Sequence, residues 1–262
     1  MAPADDFDGF LIDLDGVVWL GRELIPGAVE ALAALADAGK ATVFVTNNPG
    51  KPPSEYAAHL REAGVAVEDD GIVTAGEATA RLAAERAGPG APAFVIGAPA
   101  FRDAVEAAGL ELLEGEAARQ ARIVLVAGHR GFDYEELLTA TLALQGGALL
   151  VATSRDPTMP MPGGAWPGTG AVLAAVETAS GARAEIGGKP ESHLFAVARE
   201  RLGDAHRVAM VGDRVSSDIE GARRAGLGAI LVLSGATSAK EAASASPRPD
   251  HIVDDLASMV VR

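Results

Sequence analysis

Asp13 and Asp15 stand two residues apart in the stretch DLDG, residues 13–16. The apolar run before them, residues 10–12, reads as a short buried strand. Strand alternation sends both carboxylates toward the same side, and Gly16 allows the chain to turn sharply. Two close carboxylates repel each other unless a cation or a shared proton relieves them, so the pair asks for a metal. Alone, the pattern is common by chance and is shared with calcium loops. Three more polar clusters change its weight: TNN at 46–48, GGKP at 187–190 and GDRVSSD at 212–218. Each has a plain reading by itself. TNN followed by Pro-Gly makes a turn, GKP is a loop with a solvated lysine, and Asp218 serves the first turn of a helix. Together they suit phosphoryl transfer. Asp13 is a nucleophile that needs no deprotonation at neutral pH. Asp15 is placed to protonate a leaving oxygen and later to deprotonate water. Thr46 and the N–H groups beside it can hold phosphoryl oxygens. Lys189 adds positive charge against nucleophile and phosphate, and Asp213 with Asp218 completes an oxygen-rich site that fits Mg²⁺.

These clusters need a scaffold that brings them to one edge. Residues 28–38 place Val29, Leu32, Leu35 and Ala36 on one face before Gly39, which predicts an amphipathic helix. Residues 41–45 predict a strand ending in Thr46. Strand, helix, strand is a βαβ unit, so the two strands run parallel and carry Asp13, Asp15 and Thr46 at the same edge. Ser54 is expected to cap a helix reaching residue 64, and Thr74 another over residues 75–87. The Gly/Pro-rich residues 88–92 read as a linker. A second alternation follows: strands at 93–96, 123–127 and 149–152, and helices at 100–108, 134–145 and 171–180. A polar loop at 153–170 interrupts it, and a loop of that length inside a compact domain is usually functional or disordered. After GGKP the first alternation resumes, with helices at 191–202 and 217–225 and strands at 208–211 and 229–233.

The bulk properties narrow the partners. The chain has 262 residues and a formal charge of −14, which argues against a nucleic-acid polymer or an anionic membrane as partner. It has no cysteine, which excludes disulfides, thiolate metal sites and cysteine nucleophiles. No apolar run reaches membrane-spanning length and the first residues do not read as a signal peptide, so a cytoplasmic protein is the expectation.

The ordered set DLDGVV, TNN, GKP and GDRVSSDI resembles the haloacid dehalogenase (HAD) superfamily of aspartate-nucleophile phosphatases, over nearly the whole chain. The position of the segment between TNN and GKP is similar to subfamily IIA, with its α/β cap, which holds p-nitrophenyl phosphatases, phosphoglycolate and glycerol-phosphate phosphatases and a bacterial nucleotidase. The loop ATSRDPTMPMPGGAWPGTGA is similar to that subfamily's cap signature, with Ser154 where Asn is commoner. The resemblance implies an aspartyl-phosphate on Asp13 and a general acid/base at Asp15. It implies Mg²⁺ held by the Asp13 carboxylate, the Asp15 backbone carbonyl and Asp213, with Asp218 supporting, and a phosphoryl group bound by Thr46, Asn47 and Lys189. Arg155 and Asp156 in the cap loop are either substrate contacts or exposed loop charges. Trp19 and Trp166 are read as packing residues in preference to pocket walls, and the histidines as surface or packing residues.

The expected architecture is therefore α/β: a doubly wound, Rossmann-like parallel-sheet core from residues 1–87 and 185–262, with a smaller α/β cap inserted at 88–184 and hinges near 88–92 and 180–188. The expected activity is Mg²⁺-dependent hydrolysis of a small phosphomonoester. Glycerol phosphate or phosphoglycolate comes first, and a nucleoside monophosphate or sugar phosphate next. A homodimer through the cap follows only from the resemblance. A non-catalytic metal- and phosphate-binding protein on the same scaffold is the alternative, as is a phosphomutase. Superfamily mutases more often carry a helical cap after the first motif, and too few residues separate Asp13 from Thr46 for one.

Overall fold

The buried apolar runs become strands, and the polar clusters fall where those strands end. The computed structural model describes residues 2–21, 23–161 and 164–261. The chain divides into two compact units, one of residues 1–46, 53–73 and 189–262, the other of residues 47–52 and 74–188.

In the first unit, β1 (Gly9–Asp13) is buried along its full length. Such a run, without a polar face, is what a strand covered on both sides requires. A short antiparallel hairpin follows, β2 (Trp19–Leu20) with β3 (Glu23–Leu24). Helix α1 (Ala28–Asp37) buries Ala28, Ala31, Leu32 and Leu35, the helical spacing the sequence showed. Next come β4 (Ala41–Thr46), α2 (Pro53–Glu62) and β5 (Ile72–Thr74). Phe10 and Ile12 join Leu32 and Leu35 in one apolar cluster. Leu11, equally buried, lies outside that cluster, as alternation requires.

The second unit opens with α3 (Ala75–Ala87), capped as expected by the Thr74 hydroxyl, which accepts from the Glu77 N–H. Then follow β6 (Pro92–Ile96), α4 (Pro99–Ala107), β7 (Glu111–Leu112), β8 (Ile123–Val126), α5 (Tyr134–Gln145) and β9 (Leu149–Ala152). After β9 the chain forms β10 (Thr158–Met161), β11 (Gly164–Pro167), α6 (Thr169–Ser180) and β12 (Glu185–Ile186). The five-stranded sheet has the order β12-β9-β8-β6-β7, with parallel neighbours.

The chain then completes the first unit with α7 (Ser192–Arg201), β13 (Val208–Gly212), α8 (Glu220–Arg224), β14 (Gly228–Val232), α9 (Ala239–Ala243), β15 (His251–Val253) and α10 (Leu256–Val260). The first unit's sheet has the order β15-β14-β13-β1-β4-β5. The pairs from β15 across to β4 are parallel. Helices α1 and α10 pack on each other beside the apolar cluster that includes Phe10, while α7 lies against β1 and β4. This is the doubly wound α/β core that the strand-helix alternation predicts.

Three expectations change. Helix α3 was assigned to the core, but its Ala80, Leu82, Ala83 and Ala87 bury against Val95, Phe101, Ile123 and Leu125 of the second unit. The units therefore part at 73/74 and 188/189, where 87/88 and 184/185 were expected, residues 47–52 also belong to the second unit, and the expected linkers at 88–92 and 180–188 lie inside it. The apolar stripe was readable, but which sheet it covers is a tertiary choice that the stripe does not encode. Ser54 lies within α2, which begins at Pro53, so it does not cap that helix. The loop at 153–170 contains the β10–β11 hairpin, with Thr158 opposite Pro167 and Met159 opposite Trp166. Its prolines disguised it, since proline argues against a strand unless the strand lies at an edge. Pro162 and Gly163, between the two strands, fall outside the described residues.

Candidate active site

Parallel pairing sets the site. Ile12 stands beside Val211 on β13, and Asp13 beside Val45 on β4. Asp13, Thr46 and Asp213 therefore emerge at the carboxyl ends of three adjacent strands, where open α/β sheets bind their ligands. Asp218 joins them from a wide π-helical turn, Val215–Ile219, that runs directly into α8. The sequence predicted an ordinary helix here, and the extra residue in the turn is what periodicity could not show. Single π turns recur at functional sites because they redirect one side chain without ending the helix.

The side chains converge. Lys189 Nζ lies 3.0 Å from Asp13 Oδ1 and 2.7 Å from Asp218 Oδ1. The Leu14 N–H donates to Asp13 Oδ1, the Arg214 N–H to Asp218 Oδ2, and the Ala236 N–H to Asp213 Oδ2. Asp13, Lys189, Asp213 and Asp218 are all buried. Two glycines make room for them. A Cβ on Gly16, whose φ is 87°, would come within 2.4 Å of Asp213 Oδ2, and one on Gly212 within 2.3 Å of Asp218 Cβ. The glycines of DLDG and GDR are therefore clearances for carboxylates as much as turn residues.

Burial pushes the Asp13 carboxyl well above its usual range; Lys189 opposes the shift, and Asp218 and Asp213 add to it. Burial alone would lower the Lys189 ammonium, but Asp13 and Asp218 outweigh it and hold the group charged. Asp213 is likewise raised, by burial and then by Asp218, against the Ala236 N–H. Taken as an ordinary carboxylate, Asp13 was expected to be ionised without help. In place, it shares one ammonium with a second carboxylate and faces a third.

That surplus is what a hard cation would satisfy. One oxygen each from Asp13, Asp213 and Asp218 lie within 4.8 Å of one another. Asp213 Oδ1 is buried and accepts no hydrogen bond. An all-oxygen donor set with a free, buried lone pair fits Mg²⁺. Bound there, Mg²⁺ would neutralise the carboxylates, keep Asp13 ionised and offset the charge of phosphoryl oxygens.

Asp15 sits beside this cluster and is reached by solvent. The protein around it raises its carboxyl, while the Trp19 indole N–H, donating to Asp15 Oδ1 at 3.0 Å, opposes that shift. Thr46 is buried, and its hydroxyl is hydrogen-bonded with the phenol of Tyr56, on α2. Burial, and then the charge of Asp15, raises the Tyr56 phenol.

Asn47, Arg155 and Asp156 belong to the second unit. A Cβ on Gly188 would lie 2.8 Å from Asn47 Oδ1, so this glycine too marks a close approach. Arg155 grips the buried Glu177 through both terminal nitrogens, at 3.1 and 3.0 Å, and also donates to the Ala184 carbonyl. The Asp156 N–H donates to the Ser154 hydroxyl. Trp166 lies under the Arg130 guanidinium, 4.3 Å from its ring centroid. Sequence reasoning missed Tyr56 and ranked Trp19 as packing. The only signal for Trp19 was its place four residues after Asp15 in a glycine turn, and Tyr56 had none beyond an amphipathic helix.

Two family models match the chain, one described as haloacid dehalogenase-like hydrolase over residues 10–111 and a second HAD-like hydrolase model over residues 186–259. The chain belongs to the haloacid dehalogenase-like hydrolases. Among its relatives is the D-glycerol 3-phosphate phosphatase of Mycobacterium tuberculosis, 38% identical over 98% of this chain and 72% of its own length. Chronophin of Rattus norvegicus is 41% identical over 89% of this chain and 79% of its own. The crystal structure of the glycerol phosphate phosphatase of Mycobacterium tuberculosis in complex with magnesium superposes with a TM-score of 0.91, covering 99% of this chain and 78% of that one at 38% identity. The chain is a Mg²⁺-dependent phosphatase that acts on a small phosphate ester. No helix among the described residues is long and apolar enough to cross a membrane.

Proposed function

We propose that this phosphatase hydrolyses a small polyol phosphate, glycerol phosphate first, through an aspartyl-phosphate on Asp13. The observation that carries the mechanism is the Lys189 bridge. It holds Asp13 and Asp218 together at the strand ends, with Asp15 two residues from the nucleophile. An Asp13 oxygen attacks phosphorus, the bond from phosphorus to the ester oxygen breaks, and Asp15 gives that oxygen a proton. Water then attacks the aspartyl-phosphate and surrenders a proton to Asp15. Inorganic phosphate leaves, and Asp13 and Asp15 return to their starting states. Lys189, Thr46 and Asn47 bind the phosphoryl oxygens, and Asp13, the Asp15 backbone carbonyl, Asp213 and Asp218 would hold the cation. Catalysis in this scheme is mainly positioning and charge neutralisation.

The preference for glycerol phosphate is supported by likeness to the mycobacterial D-glycerol 3-phosphate phosphatase over nearly the whole chain. A homodimer through the cap, from subfamily resemblance, and a cytoplasmic location, from the lack of a membrane-spanning apolar run, complete the proposal. Light scattering on the purified protein tests the dimer. The deciding experiment is phosphate release from glycerol phosphates, phosphoglycolate, nucleoside monophosphates and sugar phosphates, with Mg²⁺ and with EDTA. Metal-dependent turnover led by a glycerol phosphate is expected. Another ester far ahead would replace the substrate, and turnover unaffected by EDTA would remove the metal.

A further inference from the structure

The turn after β1 closes on itself. The N–H groups of Val17, Val18 and Trp19 all converge on the Leu14 carbonyl, and the Gly16 N–H donates to the Trp19 carbonyl at 2.7 Å. Asp15 and Trp19 consequently face each other as an isolated bridge pair. The Trp19 indole is 3% exposed, and it stacks on the His59 ring of α2 with centroids 4.8 Å apart and planes 15° from parallel. Its backbone is further held by pairing with Leu24 in the β2–β3 hairpin. Out of this fixed ring, the indole nitrogen reaches Asp15 Oδ1 at 3.0 Å.

We infer that Trp19 is a positioning residue for the reaction, acting through Asp15. A carboxyl that passes a proton must present one oxygen to the reacting group and keep its rotamer through the cycle. Indole N–H is a donor only, so it can occupy one oxygen of Asp15 but can never take its proton. With Oδ1 engaged, Oδ2 is the oxygen that carries the proton to the leaving ester oxygen as the bond to phosphorus breaks, and that receives a proton from water in the second half. The His59 stack and the hairpin keep the donor rigid, and a catalytic group depends on such support for its geometry. Asp15 is solvent-accessible and would otherwise sample several rotamers.

This inference rests on the proposed role of Asp15 as acid and base, and the test separates the two. Trp19→Phe keeps a flat ring for His59 and removes the N–H together with the five-membered ring that carries it. The value of kcat/KM reports steps up to phosphoryl transfer onto Asp13. It should fall about tenfold for an alkyl ester such as glycerol phosphate, whose leaving oxygen needs a proton, with KM within about twofold. For p-nitrophenyl phosphate, whose leaving group needs none, the fall should stay under about twofold. In an Asp15→Asn background, Trp19→Phe should cause no further leaving-group-dependent loss, because coupled residues are not additive. Should Trp19→Phe misfold, benzothienylalanine at position 19 keeps the bicyclic outline without the N–H and should give the same pattern. Equal losses on both esters, or none, would overturn the inference. An Asp15→Asn enzyme that retains full activity on the alkyl ester would instead overturn the role of Asp15.

Discussion

Each unit builds a charged triad around one buried side chain, and the two are mirror images in charge. In the first unit a lysine sits between two carboxylates, Asp13 and Asp218. In the second a carboxylate, Glu177, sits between two arginines, Arg155 and Arg183. What separates them is completeness. Glu177 accepts from Arg155 on both oxygens, from Arg183, and from the Ala184 N–H. The lysine triad lies against a third carboxylate, Asp213, one oxygen of which is buried and accepts no hydrogen bond, the Arg214 Nε lying 3.9 Å from it. A closed set of charges holds a structure together, whereas a set left open toward one more ion is equipped to bind. The central groups are alike in burial, Lys189 at 3% and Glu177 at 9% exposure, but their partners differ: Asp13 and Asp218 are buried, whereas Arg155 and Arg183 are exposed.

The largest effect should come from breaking the open triad. Asp13→Asn removes the proposed nucleophile and should lower phosphate release by about four orders of magnitude or more while circular dichroism shows the fold retained. Full turnover in that variant would end the nucleophile assignment. Lys189→Met leaves two buried carboxylates facing each other and should cost about 3–5 kcal/mol in urea unfolding, with loss of activity. Added Mg²⁺ should recover part of that stability, and a variant as stable as the parent would show that the lysine is not needed to hold the carboxylates together.

The closed triad should respond through stability alone. Hydrogen bonds from Arg155, against the cost of burial, hold the Glu177 carboxyl down from 4.5 to about 2. A depressed carboxyl contributes stability that is complete above its unfolded value and is lost as pH falls toward the folded one. Glu177→Gln should therefore cost about 1–2 kcal/mol at neutral pH, discounted for the exposure of both arginines. The gap to the parent should close between about pH 4.5 and about 2 in acid titrations of stability. A gap independent of pH would mean that packing, not charge, is what Glu177 supplies. Arg155→Ala should have the smallest effect, about 1 kcal/mol with KM for the ester unchanged, because Arg183 and the Ala184 N–H remain on Glu177. A several-fold rise in KM would make Arg155 a substrate contact after all.

The open site was far more legible in the sequence than the closed one, for a physical reason. Carboxylates at strand ends need glycines for clearance and fall at points where periodicity breaks, so DLDG and GDR stand out against apolar runs. Arg155 and Glu177 lie 22 residues apart, in a loop and on a helix, and nothing in either local pattern shows that they meet. The same limit hid the partners of the core site. The Ala236 N–H that braces Asp213 comes from a Ser/Gly loop and the Tyr56 phenol beside Thr46 from an ordinary amphipathic helix, and neither segment marks its partner. Helix α3 shows the limit on fold, since a stripe of alanines and a leucine fits either sheet until the sheets exist.

The order of the core sheet has a consequence for how the protein is made. Strand β1 sits between β4 and β13, so one of its edges stays open until residue 212 has left the ribosome. Until then the nascent chain carries Asp13 on an apolar strand with an unpaired side, the feature most prone to wrong pairing. It also lacks Asp213 and Asp218, so in the proposed scheme no ester is turned over before the strand is sealed. The strand that seals the edge and the last carboxylate of the proposed catalytic set, Asp218, are therefore delivered within six residues of each other.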